Sequence, residues 1–251
     1  MKILIVGYGN IGKHLYEELE SLNPSIYDIN IPEYKNTELE GYDIAFICVP
    51  TPSLNDGSCD TGIVEEVVSK ISSKTIVIKS TVPVGTTQTL TCRYNKEIIF
   101  SPEYYGTTVQ SKQQNFLVLG GDLQNCCKVA QLYYKVKDKD FKIKFTDSKT
   151  AELAKYMENC FLATKVTFCN EFAEIAKEFG ICYEQLREIF IMDERVGSSH
   201  TFVFNDQPYY DSICLNKDIP ALIKQSSNAL LMTQVNDINN LRKVNYLEKE
   251  K

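Results

Sequence analysis

Three glycines near the start of the chain have the spacing of a phosphate-binding turn. Gly7, Gly9 and Gly12 follow a short apolar run and open an amphipathic segment. Each has a steric role, respectively a tight turn, close approach of a pyrophosphate to the backbone, and close packing of a helix on a strand. The first amide groups of that helix would face the phosphates. The spacing therefore predicts a dinucleotide site.

The next apolar run ends in an aspartate that distinguishes between the two nicotinamide dinucleotides. Asp28 stands at the distance, about 20 residues, at which a carboxylate meets the ribose hydroxyls. It would repel a 2′-phosphate, and Ile29 and Asn30 provide no arginine to hold one. NAD is thus favoured over NADP. The alternative, a glycine turn in which Asp28 only caps a neighbouring element, explains the spacing poorly.

A second set of reactive residue types lies near position 214. Cys214 precedes Lys217 by three residues and Asp218 by four, and a nearby positive charge favours the thiolate, the nucleophilic form of cysteine. Asp218 stands before Ile219 and Pro220, where a helix N-cap would stand. Two interpretations of Cys214 stay open at this point: a nucleophile, or a small buried apolar side chain, the usual case for cysteine.

Two polar residues continue an apolar helical stripe. Lys155 and Asn159 are four residues apart and therefore share a helix face. That face continues through apolar or small side chains, namely Leu162, Val166, Cys169 and Ala173. Buried polar groups need partners. Either the pair is functional, or Lys155 is a solvated lysine at the start of a helix.

Seven short β-rich runs alternate with helical stretches over the first 145 or so residues. They are Ile3–Val6, Ser25–Asp28, Ile44–Val49, Thr75–Lys79, Glu97–Phe100, Phe116–Leu119 and Phe141–Phe145. Continuous apolar strands separated by helices are typical of a Rossmann-type, doubly wound, mainly parallel α/β sheet. Thr81 and Glu103 each follow a strand, at the edge where such sheets bind ligands, although both also suit ordinary turns.

From about Thr146 the strand pattern stops and helical periodicity takes over. We predict an NAD-binding domain over residues 1–146 and a helical domain over 147–251. The first helix of the second domain should run from Ser148 to Phe179 and end at Gly180. Its main apolar stripe contains Leu153, Met157, Phe161, Phe168, Phe172, Ile175 and Phe179. Two stripes on one long helix predict two buried faces, one of them in a homodimer.

Composition excludes several classes of protein. The 251 residues are 43% hydrophobic and 24% charged, with a net charge of −6, which favours a globular protein and gives no positive surface for nucleic acid. Apolar runs fall short of the ~18 residues of a membrane span, and the sequence pattern predicts a cytoplasmic protein without a leader. Nine cysteines without a C-x-x-C pair suggest reduced thiols. His14 and His200 lack metal-ligand spacing, so no metal site is expected.

Several segments taken in order resemble the UDP-glucose/GDP-mannose dehydrogenase family. They are Cys48–Pro52, Ser80–Thr86, Ser101–Tyr104, Lys155 with Asn159, Asn170–Glu171, Asp193–Gly197 and Cys214–Asp218. The resemblance implies a homodimeric oxidoreductase that acts in polysaccharide biosynthesis. Such an enzyme oxidises the C6 alcohol of a UDP- or GDP-sugar to a carboxylate with two NAD, through a cysteine-bound thiohemiacetal and thioester.

The resemblance also implies a role for each matching residue. Cys214 becomes the nucleophile, Asp218 positions water and a proton, and Lys155 and Asn159 donate to the oxyanion. Thr81 and Glu103 lie beside the reacting carbon, with Glu103 aiding thioester hydrolysis. The implied substrate-binding residues are Lys155, Asn159, Arg195 and Lys217, with Arg195 reaching across the dimer. The implied cofactor-binding residues are Gly7, Gly9, Asn10, Ile11, Gly12, Asp28, Val49, Pro50, Thr51 and Thr81.

The sequence departs from the family pattern at several places. The glycine-rich loop expected before the nucleophile is replaced by Pro208–Ser212, a second glutamate by Thr107, and a proline by Asn216. The resemblance also stops before the second α/β domain that supplies much of the UDP site. We therefore expect this chain alone to turn over UDP-glucose very slowly or not at all. The alternative function is a truncated, catalytically impaired NAD-binding dimeric module.

Overall fold

A computed structural model describes residues 1–104 and 115–249, and it divides into two compact units. The first unit consists of Met1–Leu54 and Cys59–Lys155, and the second consists of Asn55–Ser58 and Tyr156–Lys251. Every strand of the sheet lies in the first unit, whereas helices dominate the second. The predicted boundary between residues 146 and 147 falls where the last strand ends and the longest helix is about to begin.

The described residues form one seven-stranded sheet. Its strands are β1 (Ile3–Val6), β2 (Ser25–Tyr27), β3 (Glu40–Ile47), β4 (Ser72–Ile78), β5 (Ile98–Phe100), β6 (Phe116–Gly120) and β7 (Lys142–Thr146). The helices are α1 (Asn10–Leu19), α2 (Gly62–Lys70), α3 (Thr86–Tyr94), α4 (Leu123–Tyr133), α5 (Ser148–Glu178), α6 (Tyr183–Phe190), α7 (Ile213–Gln225) and α8 (Leu230–Lys249). None of the helices in the described ranges is long and apolar enough to cross a membrane.

The sheet has the order β2-β1-β3-β4-β5-β6-β7 and is parallel except where β6 meets β5. The strand order reverses between β1 and β3, so the carboxyl ends of these strands flank a crevice, the usual ligand position in such sheets. The predicted mainly parallel Rossmann-type sheet is confirmed. β3 begins earlier than predicted, because its pairing with β4 extends back to Glu40, ahead of the apolar run that begins at Ile44.

Apolar side chains cover both faces of the sheet. On one face Leu15 and Leu19 of α1 and Val129 of α4 pack against alternate strand residues. On the other face Val64 of α2 and Leu90 of α3 pack against the intervening residues. The central strands, such as β1 and β5, are therefore buried on both sides, which explains their continuous apolar sequence, whereas β7 at the edge of the sheet is largely exposed.

α5 spans 31 residues and ends as its sequence predicts. Gly180 adopts a φ of +67°, its N–H donates to Lys177, and the N–H of Ile181 donates to Ala176 over 2.8 Å. These two bonds form a Schellman motif, which satisfies the last carbonyls of the helix. Along its length α5 leaves most of its main apolar stripe exposed: Leu153, Met157, Phe161, Phe168, Phe172 and Phe179.

The start of α7 differs from the sequence prediction. Asp218 is not an N-cap: Ser212 caps α7, accepting a hydrogen bond from the N–H of Leu215 over 3.1 Å. Asp218 lies inside the helix and is buried, and Pro220 follows it within the same helix. Proline inside a helix removes one backbone hydrogen bond and is usually a stop or start signal. Here the serine cap and the packing of α7 outweigh that cost.

Candidate functional site

The glycine turn after β1 is shaped by two close backbone contacts. Gly7 has a φ of +90°, and a Cβ placed on it would lie 2.6 Å from the carbonyl oxygen of Cys48. A Cβ on Gly12 would lie 1.9 Å from the carbonyl oxygen of Gly7. Only glycine fits either position. A Cβ on Gly9, by contrast, would meet nothing within 4 Å, so the backbone there borders open space at the start of α1.

Asp28 is fixed against this turn by its own hydrogen bonds. Oδ2 accepts from the N–H of Tyr8 over 2.7 Å, and Oδ1 accepts from the N–H of Asn30 over 2.8 Å. The side chain therefore does cap neighbouring backbone, as the alternative interpretation held. Each carboxylate oxygen can still accept a second hydrogen bond, so capping and recognition of a ribose hydroxyl are compatible.

The loops that follow β3 and β4 are tied together at the same edge of the sheet. The hydroxyl of Thr51 donates to the carbonyl oxygen of Thr81 over 2.9 Å. The hydroxyl of Ser80 donates to the carbonyl oxygen of Val49 over 2.7 Å. Thr51 and Ser80 are buried, and Thr81 is half-buried. The loop of Val49, Pro50 and Thr51 is thus held beside Thr81.

Glu103 follows β5 at this edge and is paired with a lysine that sequence analysis missed. The carboxylate oxygen Oε2 lies 3.6 Å from Nζ of Lys79, and the two side chains are only 7% and 2% exposed. Nζ of Lys79 also contacts Oγ of Ser101 at 3.4 Å. Burial raises the pKa of the nearby Cys48 thiol to about 12. The only sequence signal was a lysine ending an otherwise apolar strand segment.

Lys155 also belongs to the first unit. Its Nζ lies 4.9 Å from the centre of the Tyr104 ring, and Tyr104 follows Glu103 in the chain. A cation over an aromatic face is stabilised by the ring quadrupole. The side chain is half-buried. The structure therefore places Lys155 near the residue that follows Glu103.

The second unit contains a buried polar cluster around Asp218. Nδ2 of Asn159 donates to Oδ2 of Asp218 over 2.6 Å, and both residues are buried. Nζ of Lys217 lies 2.5 Å from Oδ1 of the same carboxylate. Cys214 precedes Asp218 by one turn of α7 and is exposed. Cys214 is thus not buried within this chain, and its role as nucleophile stays a prediction.

Other residues singled out in the sequence lie outside this cluster. The guanidinium of Arg195 bonds the carboxylate of Asp193, with Nε 2.9 Å from Oδ1, and its side chain is 89% exposed. Asn216 donates to Asp211 over 2.5 Å. Thr107 lies outside the described residues.

Comparison with known proteins gives two matches to models of one family. The NAD binding domain of the UDP-glucose/GDP-mannose dehydrogenase family matches residues 29–137, and the central domain of that family matches residues 149–246. The chain belongs to the UDP-glucose/GDP-mannose dehydrogenase family. The resemblance inferred from the sequence motifs is thereby confirmed.

Named members of the family are similar over most of this chain. UDP-glucose 6-dehydrogenase of Rickettsia bellii is 33% identical over 77% of this chain and 47% of its own length. UDP-N-acetyl-D-mannosamine dehydrogenase of Methanocaldococcus jannaschii is 29% identical over 86% of this chain and 52% of its own length. The chain thus spans about half the length of these curated relatives.

A solved structure shows the same fold. The UDP-glucose dehydrogenase of Pyrobaculum islandicum superposes with a TM-score of 0.82 at 22% identity, over 96% of this chain and 68% of that one. The match to the family's NAD-binding domain identifies NAD as the cofactor. The first unit fits that cofactor, since it has open space at Gly9, a helix N-terminus and a fixed carboxylate at Asp28.

Proposed function

We propose that this chain is an NAD-dependent nucleotide-sugar 6-dehydrogenase that oxidises a sugar C6 alcohol to a carboxylate through Cys214. One observation carries the proposal. An exposed cysteine stands one helical turn from a buried carboxylate that is bonded by Asn159 and Lys217, in a chain with a family NAD-binding domain. This combination supports covalent chemistry at sulfur coupled to hydride transfer.

The cofactor would be held by the glycine turn and its neighbours. The backbone of Gly7–Gly12, including Asn10 and Ile11, would approach the pyrophosphate, and Asp28 would accept a ribose hydroxyl. Val49, Pro50, Thr51 and Thr81 would line the crevice at the carboxyl edge. When bound, NAD accepts a hydride from the substrate carbon.

Cys214 would act after the alcohol has become an aldehyde. Its sulfur adds to the aldehyde carbon, forming a C–S bond and a thiohemiacetal oxygen. A second hydride would pass to a second NAD as the thiohemiacetal hydroxyl loses its proton, leaving a thioester, and water would then break the C–S bond, giving the carboxylate and the free thiol. Cys214 lies in the first turn of α7, where the helix N-terminus favours a thiolate.

The surrounding polar groups would stabilise charge and deliver protons. Asn159 and Lys155, one turn apart on α5, would donate to the oxygen that becomes negative when sulfur adds. The carboxylate of Asp218 would orient the hydrolytic water, and Lys217 would stabilise that carboxylate and contact the substrate. By the family resemblance, Thr81 and Glu103 would also act on the reacting carbon, with Glu103 aiding hydrolysis.

A homodimer would cover the exposed stripe of α5. Phe161 is 60% exposed and Met157 73%, and an apolar surface of this length exceeds what monomers usually leave in water. A second copy pairing through α5 would bury the stripe by two-fold symmetry. Arg195, exposed on its turn, would then be available to a substrate held by the partner subunit.

A second candidate function is an NAD-binding dimeric module with impaired chemistry. The observation favouring it is the segment Pro208–Ser212, in which Tyr209 and Tyr210 are buried where the family has a glycine-rich loop. Glycine permits close approach of a ligand, and tyrosine restricts it. On the first proposal, this substitution should slow turnover by the 251-residue polypeptide.

The test is NADH formation from a panel of UDP- and GDP-sugars, comparing wild type with Cys214→Ser. Cys182→Ser is the matched control, because Cys182 is equally an exposed cysteine of the second unit. The dehydrogenase proposal expects slow formation of two NADH per sugar by wild type and by Cys182→Ser, whereas Cys214→Ser should form no sugar acid and at most one NADH per sugar. NAD binding with no NADH from any sugar would favour the module.

A further inference from the structure

The backbone just before α7 is clamped by one asparagine of α8. Oδ1 of Asn239 accepts from the N–H of Tyr210 over 2.8 Å, and Nδ2 of Asn239 donates to the carbonyl oxygen of Tyr210 over 3.1 Å. Asn239 is 2% exposed. A single side-chain amide therefore satisfies both backbone groups of one buried residue, as a neighbouring strand would.

Further contacts from the same face of α8 hold the flanking residues. Nζ of Lys243 lies 2.8 Å from Oδ1 of Asp211 and 5.8 Å from the centre of the Tyr209 ring. The ring of Tyr246 packs edge-on against Tyr209 at 6.0 Å. Residues 239, 243 and 246 recur at helical spacing, so one face of α8 contacts three consecutive residues of the loop.

The loop before α7 is also held by the apolar core of the second unit and by α7 itself. The Tyr210 side chain lies in a core cluster with Cys160, Ile219 and Val235, and its burial raises the pKa of its hydroxyl. Asn216 bonds Asp211. The next residue, Ser212, caps α7, and Cys214 follows in the first turn.

We infer that Asn239 is a positioning residue for Cys214, acting through the backbone of Tyr210 and the serine cap of α7. The inference rests on the proposed role of Cys214 as nucleophile. Where the family has a glycine-rich loop, this chain has the segment Pro208–Ser212, which these contacts hold in one conformation. That segment sets where α7 begins. Residues of α8, which come after Cys214 in the chain, thereby determine the surroundings of its thiol.

The physical consequence of losing the clamp follows from its burial. Without Asn239 the amide and carbonyl groups of Tyr210 would remain buried without their partner, so the loop would have to shift toward water. Ser212 would move with it, and the first turn of α7 would open. Cys214 is already exposed, so opening gives a reagent no better access and removes the helix N-terminus that favours the thiolate.

The experiment measures alkylation of Cys214 by iodoacetamide in the full chain, as a ratio to Cys182 in the same molecule, together with hydrogen exchange of the 208–216 segment. Asn239→Ala removes the clamp. Asn240→Ala is the matched control, because Asn240 is the next residue and exposed. Asn239→Asp keeps the acceptor for the Tyr210 N–H and loses the donor. Lys243→Met removes only the outer contacts of a half-buried lysine.

Asn239→Ala should lower the Cys214:Cys182 ratio at least about threefold and speed exchange in 208–216 at least about tenfold. Asn239→Asp should fall between alanine and wild type, and Asn240→Ala should stay within about twofold of wild type. Unfolding of the second unit by Asn239→Ala would be recognised because the buried Cys160 would become reactive. In that case Lys243→Met provides the test, and it should lower the Cys214:Cys182 ratio by a smaller factor. An unchanged ratio in a folded Asn239→Ala, or in Lys243→Met where alanine unfolds the unit, overturns the inference.

Neither alkylation nor hydrogen exchange uses NAD or a sugar, so the proposed function and the positioning role of Asn239 can be refuted independently. NADH formation unaffected by Cys214→Ser would refute the role of Cys214 and leave the alkylation result intact. A normal alkylation ratio without Asn239 would refute the positioning role and leave the dehydrogenase proposal intact.

Discussion

Among the described residues of the first unit, the ion pair between Lys79 and Glu103 is the most deeply buried, and Lys79→Met tests its energetics. Methionine fills similar space and removes the ammonium. Glu103 is then left 7% exposed without the cation that lies 3.6 Å from its carboxylate, and Ser101 loses its contact with Nζ.

The expected cost follows from comparison with the surface ion pair of Lys74, which lies in β4, the strand that Lys79 directly follows. Lys74 pairs with Asp43 at 2.7 Å, but the lysine side chain is 78% exposed. Breaking an exposed pair costs about 0–1 kcal/mol, whereas removing one partner of a buried pair costs about 3–5 kcal/mol because a desolvated charge remains. Lys79→Met should therefore lower the free energy of unfolding by several times more than Lys74→Met, despite the shorter distance in the surface pair.

Urea unfolding followed by circular dichroism measures the change in free energy of unfolding for Lys79→Met and for Lys74→Met under identical conditions. The double variant Lys79→Met/Glu103→Gln should regain part of the loss, because the buried negative charge is removed as well and the effects of the two substitutions are coupled. If Lys79→Met costs no more than Lys74→Met, or if the double variant is less stable than Lys79→Met alone, the carboxylate is not held as a buried ion and the reasoning fails.

Three further predictions concern the cofactor, the dimer and the cysteines. Asp28→Ala should erode the preference for NAD over NADP in calorimetry, with Asn30→Ala as control, and equal affinity of the wild type for both would exclude Asp28 as the selector. Light scattering at micromolar concentration should give a mass of twice 28.6 kDa. Phe161→Glu should halve that mass, whereas Leu123→Glu, at an exposed position of α4, should leave it unchanged. A monomeric wild type would contradict the dimer. Because burial raises the pKa of Cys48 to about 12 and that of Cys160 to about 11, both remain neutral thiols near about pH 8 and should resist alkylation, while Cys214 should react before the other eight. Earlier modification of Cys92 or Cys182 would argue against an activated Cys214.

Features set by local sequence could be predicted from the residues themselves. The central strands are apolar runs because helices cover both faces of the sheet there, and each of the seven runs predicted a strand. Gly180 ends α5 because only a residue comfortable at positive φ completes the Schellman bonds. The glycine turn was likewise predictable, since its backbone leaves no room for a Cβ at Gly7 or Gly12.

The start of α7 could not be predicted, because two signals compete there. Asp218 before Ile219 and Pro220 has the form of a helix start, yet the helix begins at Ile213 after Ser212. Proline is tolerated inside α7 because Ile219 and Leu215 are buried in the core of the second unit. Tertiary packing decides such cases, and propensity alone does not.

The polar partnerships were invisible to sequence analysis for a different reason. Glu103 meets Lys79, Asp218 meets Asn159, and Tyr210 meets Asn239, in each case across more than twenty residues of chain. No periodicity within one segment reports such a contact. The candidate residues of the site could therefore be named from the sequence and their roles stay predictions, whereas the residues that hold them in place emerged only from the fold.

The central claim is that Cys214 carries a sugar through both oxidation steps, and the most direct test is the number of NADH released per sugar consumed. Wild type, at high enzyme concentration with the best nucleotide sugar of the panel, should release two NADH for each sugar acid formed, and Cys214→Ser should form no sugar acid. One NADH per sugar, with an aldehyde as product, would contradict a thioester route. So would formation of the acid at an unchanged rate by Cys214→Ser.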